Sequence, residues 1–307
     1  MPALRRPLRS LMILAGACPA LLVSAGTLSA QETLAPYCTG IAAAEATGYV
    51  ALPRGNVFCP LLADPKQPRS FVSVIRESEV FDTEIASLGV GDALGLARWG
   101  GREPGNGIQI SVVAAVFAQF DLGTASYDLV NTDFIIGVPV TMRHGSFSLS
   151  LRPYHQSSHL GDEFLLGTGI ERENLAFESL QLLLSQELGP LRVYGGGERL
   201  FNRDPSDLEP VVVQGGIEIR PMEQLEIGTV SRLGLIAGVD VKATDQQAWK
   251  PAWSARAGVE FGRPRDGLSP ARRALLLVEY YDGPTPYGQF FRDGVRYVGI
   301  GVHITLL

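Results

Sequence analysis

The sequence predicts an all-β protein, an antiparallel transmembrane β-barrel of about 12 strands with a short N-terminal segment. Of its 307 residues, 46% are hydrophobic and 19% are charged, which is less charge than the roughly 25% of a soluble domain. Beyond residue 30, however, the sequence offers no run of the ~20 apolar residues that a membrane helix needs. Apolar residues instead alternate with polar ones, as expected of strands that face lipid on one side and a lumen on the other.

The N-terminus has the pattern of a secretory signal peptide over residues 1–30. Basic residues precede a short apolar run, Leu11 to Val23, and small residues follow around positions 25 and 30. A lipoprotein anchor through Cys18 is disfavoured, because the three residues before it include no large aliphatic side chain. The sequence therefore predicts export across the inner membrane.

Residues 31–66 differ from the rest of the chain, since they contain several prolines and no sustained alternation. We predict a periplasmic segment here and the barrel over residues 67–307. Removal of the signal peptide leaves two cysteines, Cys38 and Cys59. Two cysteines in an exported chain predict one disulfide, which would stabilise the fold by roughly 3 kcal/mol in the chain-entropy picture.

Twelve strand-length segments follow, separated by turn residues. They lie near residues 69–76, 92–99, 107–120, 131–143, 146–158, 174–187, 190–201, 210–220, 232–243, 253–262, 273–281 and 296–307. Tight turns at 143–145 and 187–189 alternate with longer connections, which places the long loops, among them 77–91, at the outer end. A soluble periplasmic β-sandwich would show the same alternation and stays an alternative.

Charged side chains within the predicted strands are expected to face the lumen, since a charge in the lipid is costly. These residues are Arg152, Glu178, Arg192, Glu198, Glu218 and Arg256. The net charge of −6 does not indicate the basic surface that nucleic-acid binding requires. The expected partners are outer-membrane lipid and the barrel assembly machinery, with the oligomeric state left open.

Several strings in order along the chain resemble an uncharacterised bacterial family, domain of unknown function 1207. The longest is Pro-Tyr-His-Gln-Ser-Ser-His-Leu-Gly-Asp-Glu-Phe-Leu-Leu at residues 153–166. The shorter ones are Pro60 to Pro65, Tyr194 to Gly197, Pro205 to Leu208, Glu279 to Tyr281 and Gly288 to Phe290. The resemblance implies an exported barrel in the outer membrane and implies no established activity.

The same long string holds the candidate catalytic residues. In an extended strand His155 and Ser157 point the same way, so the imidazole could activate the hydroxyl as a nucleophile. Their parity places them on the lipid face near the outer end of the fifth strand, and Asp162 or Glu163 could orient the imidazole. Alternatively these are ordinary rim residues, or a bulge at Pro153 reverses their facing.

The His-x-Ser pair resembles the active sites of outer-membrane phospholipases and lipid A deacylases. Those enzymes carry Asn directly after the serine, whereas this chain has Ser158. The sequence thus favours a barrel with a structural, binding or transport role (including a narrow channel) over catalysis. A lipid-ester hydrolase and a soluble periplasmic protein are the alternatives. No cofactor is predicted. Acidic residues in the outer loops could bind Ca²⁺, although their spacing matches no calcium loop; they are Asp162, Glu163, Asp204, Asp207 and Asp282.

Overall fold

We describe the protein from a computed structural model over residues 48–78, 82–102, 105–220, 225–227, 231–262 and 273–305. The predicted signal peptide and Cys38 lie outside these residues, so both stay predictions. No helix in the described part of the chain is long and apolar enough to cross a membrane.

The described residues form 15 strands and little else. The strands are β1 (Gly48–Ala51), β2 (Ser70–Glu77), β3 (Glu84–Gly100), β4 (Gly107–Asp121), β5 (Leu129–Gly137), β6 (Val140–His144), β7 (Phe147–Leu160), β8 (Leu175–Leu188), β9 (Leu191–Asp204), β10 (Val211–Ile219), β11 (Leu225–Ile227), β12 (Ser231–Thr244), β13 (Ala252–Gly262), β14 (Arg273–Pro284) and β15 (Gly294–Thr305). One short helix, α1 (Asp162–Thr168), follows β7, and single 3₁₀ turns occupy Asp245–Gln247 and Gly288–Phe290.

These strands close into an antiparallel barrel with 12 wall positions in the described residues. Two wall positions are interrupted, one between β5 and β6 and one between β10 and β11. Pro139 lies in the first interruption, where a residue without an N–H breaks the ladder. β15 pairs with β2 from Tyr297↔Glu77 to Ile304↔Ser70 and closes the cylinder. The predicted fold class, a transmembrane barrel of about 12 strands, is confirmed.

The distribution of side chains is the inverse of that in a soluble protein. Large apolar side chains on the outer face are exposed, for example Val90 at 67% and Leu235 at 65%. Polar side chains facing inward are buried, among them Gln109, Asn131 and Arg192, each 0% exposed. This pattern is that of a barrel with lipid outside and a polar, filled interior.

The second wall strand is longer than the sequence pattern indicated. Residues 77–91 were expected to form a long outer loop, but β3 already begins at Glu84 and pairs with β2 from Arg76↔Glu84 onward. The inward positions there are Ile85, Ser87 and Gly89, and the outward ones are Ala86, Leu88 and Val90. Because apolar and small residues occur on both faces, the contrast between the faces is weak, and periodicity does not detect the strand.

Residues 53–69, which we call the plug segment, occupy the interior of the barrel. Leu61 and Leu62 are each 1% exposed and pack against inward-facing apolar side chains of the wall. Residues 31–66 were expected to form a separate periplasmic segment, so the described part of that stretch differs from the expectation. The apolar and proline-rich sequence is buried because the wall offers it both an apolar surface and hydrogen-bond donors.

Candidate active site on the outer face

The side chains of β7 alternate without interruption between the lumen and the outer face. Tyr154, Gln156 and Ser158 are buried inward, whereas His155 and Ser157 are partly exposed on the outer face. Pairing with β8 is continuous from Phe147↔Gln186 to Ser158↔Leu175. Pro153 therefore introduces no bulge, and the predicted outward facing of the His-x-Ser pair is what the structure has.

A carboxylate on the neighbouring strand, β8, lies beside His155. His155 pairs with Glu178 across the ladder, and His155 Nδ1 lies 3.5 Å from Glu178 Oε1. Both side chains are about half exposed, at 44% and 49%. The prediction that Glu178 faces the lumen is wrong, because its position on β8 shares the outward parity of the exposed Leu180 and Leu182.

Asp162 and Glu163, the expected orienting residues, lie elsewhere. Both are exposed in the first turn of α1. Within the described residues, no hydrogen bond or ion pair joins either carboxylate to His155. The helix carries them beyond the end of β7, while the strand register brings Glu178 beside the imidazole. The alternation of apolar and polar residues fixes which side chains of β7 and β8 face outward, but not which outward residue of β8 pairs with His155.

Ser157 lies between Phe134 on β5 and Ala176 on β8. Side chains two residues apart on a strand are separated by about 6.6 Å along it, so His155 and Ser157 are neighbours on one surface. No hydrogen bond joins them among the described contacts. Because Nδ1 of His155 faces Glu178, Nε2 is the ring nitrogen left to accept a proton from the serine. Side chains of the types that serve as nucleophile, base and orienting acid thus occupy neighbouring positions on one surface.

A second polar pair lies outward of Ser157. Arg172 Nη2 is 2.9 Å from His159 Nδ1, and the imidazole of His159 contacts the ring of Phe134 edge-on at 5.9 Å. A guanidinium can only donate, so His159 Nδ1 accepts and its Nε2 carries the hydrogen. Both groups then offer donors at the outer edge of the lipid-facing surface.

Charge pairs and the plug segment occupy much of the lumen. The lumen prediction is confirmed for five residues: Arg152, Arg192, Glu198, Glu218 and Arg256. In the plug segment, burial raises the pKa of Asp64, but the Lys242 ammonium 2.8 Å away, the backbone N–H of Lys66 and the charge of Arg152 together outweigh burial and lower that pKa. Among the described residues, no group of three or more His, Cys, Asp or Glu side chains is arranged to hold a metal ion. The Cys59 sulfur lies 3.9 Å from Glu187 Oε1, and its predicted bond to Cys38 stays a prediction.

The chain belongs to the family described as a protein of unknown function, DUF1207, whose model matches residues 25–306. This confirms the resemblance that the sequence strings indicated. Among curated protein sequences, none matches this chain.

Solved structures with the same fold include outer-membrane enzymes. Outer membrane phospholipase A from Escherichia coli superposes with a TM-score of 0.53 at 11% identity, covering 81% of this chain and 95% of that one. The Salmonella typhi outer membrane phospholipase, a dimer with bound calcium, gives a TM-score of 0.51 at 12% identity, covering 79% and 94%. At these identities the likeness establishes the fold, a barrel of the outer-membrane type.

Proposed function

We propose that this protein is an exported outer-membrane enzyme that hydrolyses acyl esters of membrane lipid at its outer surface. Ser157 is the nucleophile, His155 the general base, and Glu178 the residue that orients the imidazole. The observation that carries this proposal is the His155–Glu178 pair, 3.5 Å apart on the lipid-facing surface beside Ser157. The phospholipases that share the fold add support from analogy.

The location of this pair argues for a role in chemistry. Ionisable side chains on the lipid-facing surface of a barrel are disfavoured, and those that persist within membranes commonly mark functional sites. The surrounding outward positions, Ile136 and Leu180, are apolar and exposed. A purely structural wall would be served better by apolar residues at positions 155 and 178.

The chemistry follows from these three groups. Ser157 Oγ attacks the ester carbonyl carbon while His155 Nε2 takes the hydroxyl proton. The tetrahedral intermediate then expels the alcohol part of the lipid, which receives that proton from His155. Water then gives a proton to His155 and attacks the acyl-serine carbonyl. The C–Oγ bond breaks, Ser157 Oγ receives that proton from His155, and the fatty acid leaves. Glu178 stabilises the imidazolium in both halves of the reaction.

A transport role has less support. The plug segment and the paired charges fill much of the lumen, so an open aqueous pathway would require the plug segment to move. The candidate ester-hydrolysis site, by contrast, needs no rearrangement to meet lipid.

The test is fatty-acid release by the refolded, full-length protein in mixed micelles of phospholipid, with lipopolysaccharide as a second substrate. We expect release by the native protein and none by Ser157→Ala. Glu178→Ala should lower kcat by at least about tenfold. The loss should be smaller than the ~10²–10⁴-fold that the general base itself contributes, because Glu178 only orients that base. Ser150→Ala is the matched control, since Ser150 lies on β7 but faces the lumen. Absence of release from both lipids, or equal release by Ser157→Ala, would overturn the proposal.

A further inference from the structure

A shallow apolar groove runs along the outer face and ends at His155. It crosses β3, β4 and β5 and has a volume of about 400 Å³. Its centre is Ala114, whose methyl group is short beside the larger side chains around it. Those side chains are Val90, Val116, Phe134 and Ile136.

The groove and the candidate catalytic residues form one continuous surface. Ile136 pairs with both Ala114 and His155 across neighbouring ladders, and Phe134 pairs with both Val116 and Ser157. A hydrocarbon chain lying over Ala114 would therefore extend to His155, and its end would lie beside Ser157. The groove faces lipid and its walls are almost wholly apolar, which suits a hydrocarbon chain.

The outward end of the same surface offers donors for an anion. His159 is two residues beyond Ser157, about 6.6 Å along the strand, and it contacts Arg172. The carboxylate of the next residue, Glu173, forms an ion pair with Arg292 at 3.1 Å. Among the described contacts, Arg172 has no carboxylate partner, so its guanidinium is available to a phosphate, which it binds well.

From this order of groups we infer that the substrate is a glycerophospholipid. Its phosphate contacts Arg172 and His159, its scissile ester lies at Ser157, and the acyl chain of that ester occupies the groove over Ala114. A single glycerol carries phosphate and acyl esters a few bonds apart, which matches the spacing between His159 and Ser157. This inference rests on the proposed function and names its substrate.

The groove is tested through acyl-chain length. Ala114→Leu fills the centre of the groove, and Ala118→Leu is the matched control on β4, facing outward but outside the groove. For phosphatidylcholines of short and long chains, we expect Ala114→Leu to lower the long-to-short ratio of kcat/KM about tenfold or more, the scale of methylene discrimination in apolar pockets. Ala118→Leu should keep the native ratio. An equal ratio in both variants would overturn the groove assignment.

The headgroup contact is tested with Arg172→Gln. We expect KM for phospholipid to rise about tenfold, as for the loss of a charge-assisted hydrogen bond, with little change for a neutral substrate such as p-nitrophenyl butyrate. Arg76→Gln, an exposed arginine at the outer end of β2, is the control. Equal losses on the charged and the neutral substrate, or preference for lipopolysaccharide over phospholipid, would overturn the headgroup assignment.

A binding measurement separates this inference from the proposed function. Ser157→Ala in vesicles that contain a phosphatidylcholine with a photoreactive acyl chain should become labelled at the groove residues, and Ala114→Leu in that background should reduce the labelling several-fold. Labelling without hydrolysis by the native protein would keep the lipid site and reject the proposed function. Hydrolysis by the native protein, with labelling spread evenly around the barrel, would keep the proposed function and reject the lipid site.

Discussion

Inside the barrel, Arg192 Nη2 donates a hydrogen bond of 2.9 Å to the carbonyl oxygen of Cys59. The same guanidinium pairs with Glu218 at 3.1 Å, and Glu218 in turn accepts a 2.6 Å hydrogen bond from the backbone N–H of Leu62. One ion pair of the wall thus binds both a carbonyl and an amide of the plug segment.

This contact belongs to a series around the wall. Four wall arginines donate to successive carbonyl oxygens of the plug segment: Arg98 to Arg54 and Gly55, Arg143 to Val57, Arg192 to Cys59, and Arg256 to Leu62. The plug segment has no strand ladder of its own, so these side chains satisfy acceptors that burial would otherwise leave unpaired.

Removing one of these arginines should destabilise the whole barrel. In Arg192→Met, the buried Glu218 carboxylate loses its ion-pair partner, and the Cys59 carbonyl loses the hydrogen bond from the guanidinium. Breaking a buried ion pair from one side costs about 3–5 kcal/mol. The free energy of unfolding in detergent micelles, from urea titration, measures it. Arg199→Met, on the exposed face of β9, is the control and should change stability by less than about 1 kcal/mol. Equal effects of the two substitutions would contradict this account of the plug segment.

The plug segment should also keep the lumen closed to ions. We expect the native protein in a planar bilayer to show no stable open state, because the plug segment is held on several sides. In Asp64→Asn/Glu218→Gln, two acceptors that hold it are weakened, and brief openings should become several-fold more frequent. Single-channel recording measures this. A stable large conductance in the native protein would show that the lumen is open in spite of the plug segment.

Acid should weaken the attachment of the plug segment at Asp64. The pKa of Asp64 is lowered in the folded protein from its ordinary 3.8, because Lys242, the backbone N–H of Lys66 and Arg152 together outweigh the effect of burial. A lowered folded pKa means that the contribution of this carboxylate is fully present above pH 3.8 and is lost as the pH falls through the folded value. The stability difference between the native protein and Asp64→Asn should therefore be largest near neutral pH and shrink in strong acid. Unfolding temperatures of both proteins at several pH values measure it, and a difference independent of pH would contradict the assignment.

The sequence predicts the wall of this barrel well and its interior poorly. Strict alternation, as at Ser146 to Arg152, identifies strands because each face has its own solvent. The parity of His155 and Ser157 follows from the same rule. The plug segment has no periodicity, and its burial depends on arginines far along the chain, such as Arg192 and Arg256. No local pattern could have placed it inside the barrel.

Glu178 illustrates how much of the candidate site could be predicted from the sequence. Its outward facing could have been read from Leu180 and Leu182, which share its parity, but a general rule about charges in strands placed it in the lumen. Its pairing with His155 depends on the register of β7 against β8. The 14 residues between Leu160 and Leu175, which include α1, separate the two strands, and periodicity determines only the parity of their register.

Gly161, the residue before α1, and Gly167, near the end of α1, should respond in opposite ways to the same substitution. A Cβ at Gly161 would clash with the carbonyl oxygen of Leu129, so the backbone would have to move. A Cβ at Gly167 would meet no atom within 4 Å. Gly161→Ala should therefore destabilise the protein by roughly 1–3 kcal/mol, as other overpacked sites do. Gly167→Ala should stabilise it by about 0.4–1 kcal/mol, since alanine has less freedom to lose on folding.

The same pair also tests whether α1 positions the outer donors. The loop from α1 to β8 carries Arg172, so a displaced helix start should disturb its contact with His159. In Gly161→Ala we expect KM for phospholipid to rise in the manner of Arg172→Gln, with the neutral ester unaffected. Gly167→Ala should leave both substrates unchanged. If Gly161→Ala lowers stability yet leaves KM for phospholipid at the native value, the position of Arg172 is independent of the start of α1, and the β8 side of the loop must hold it in place.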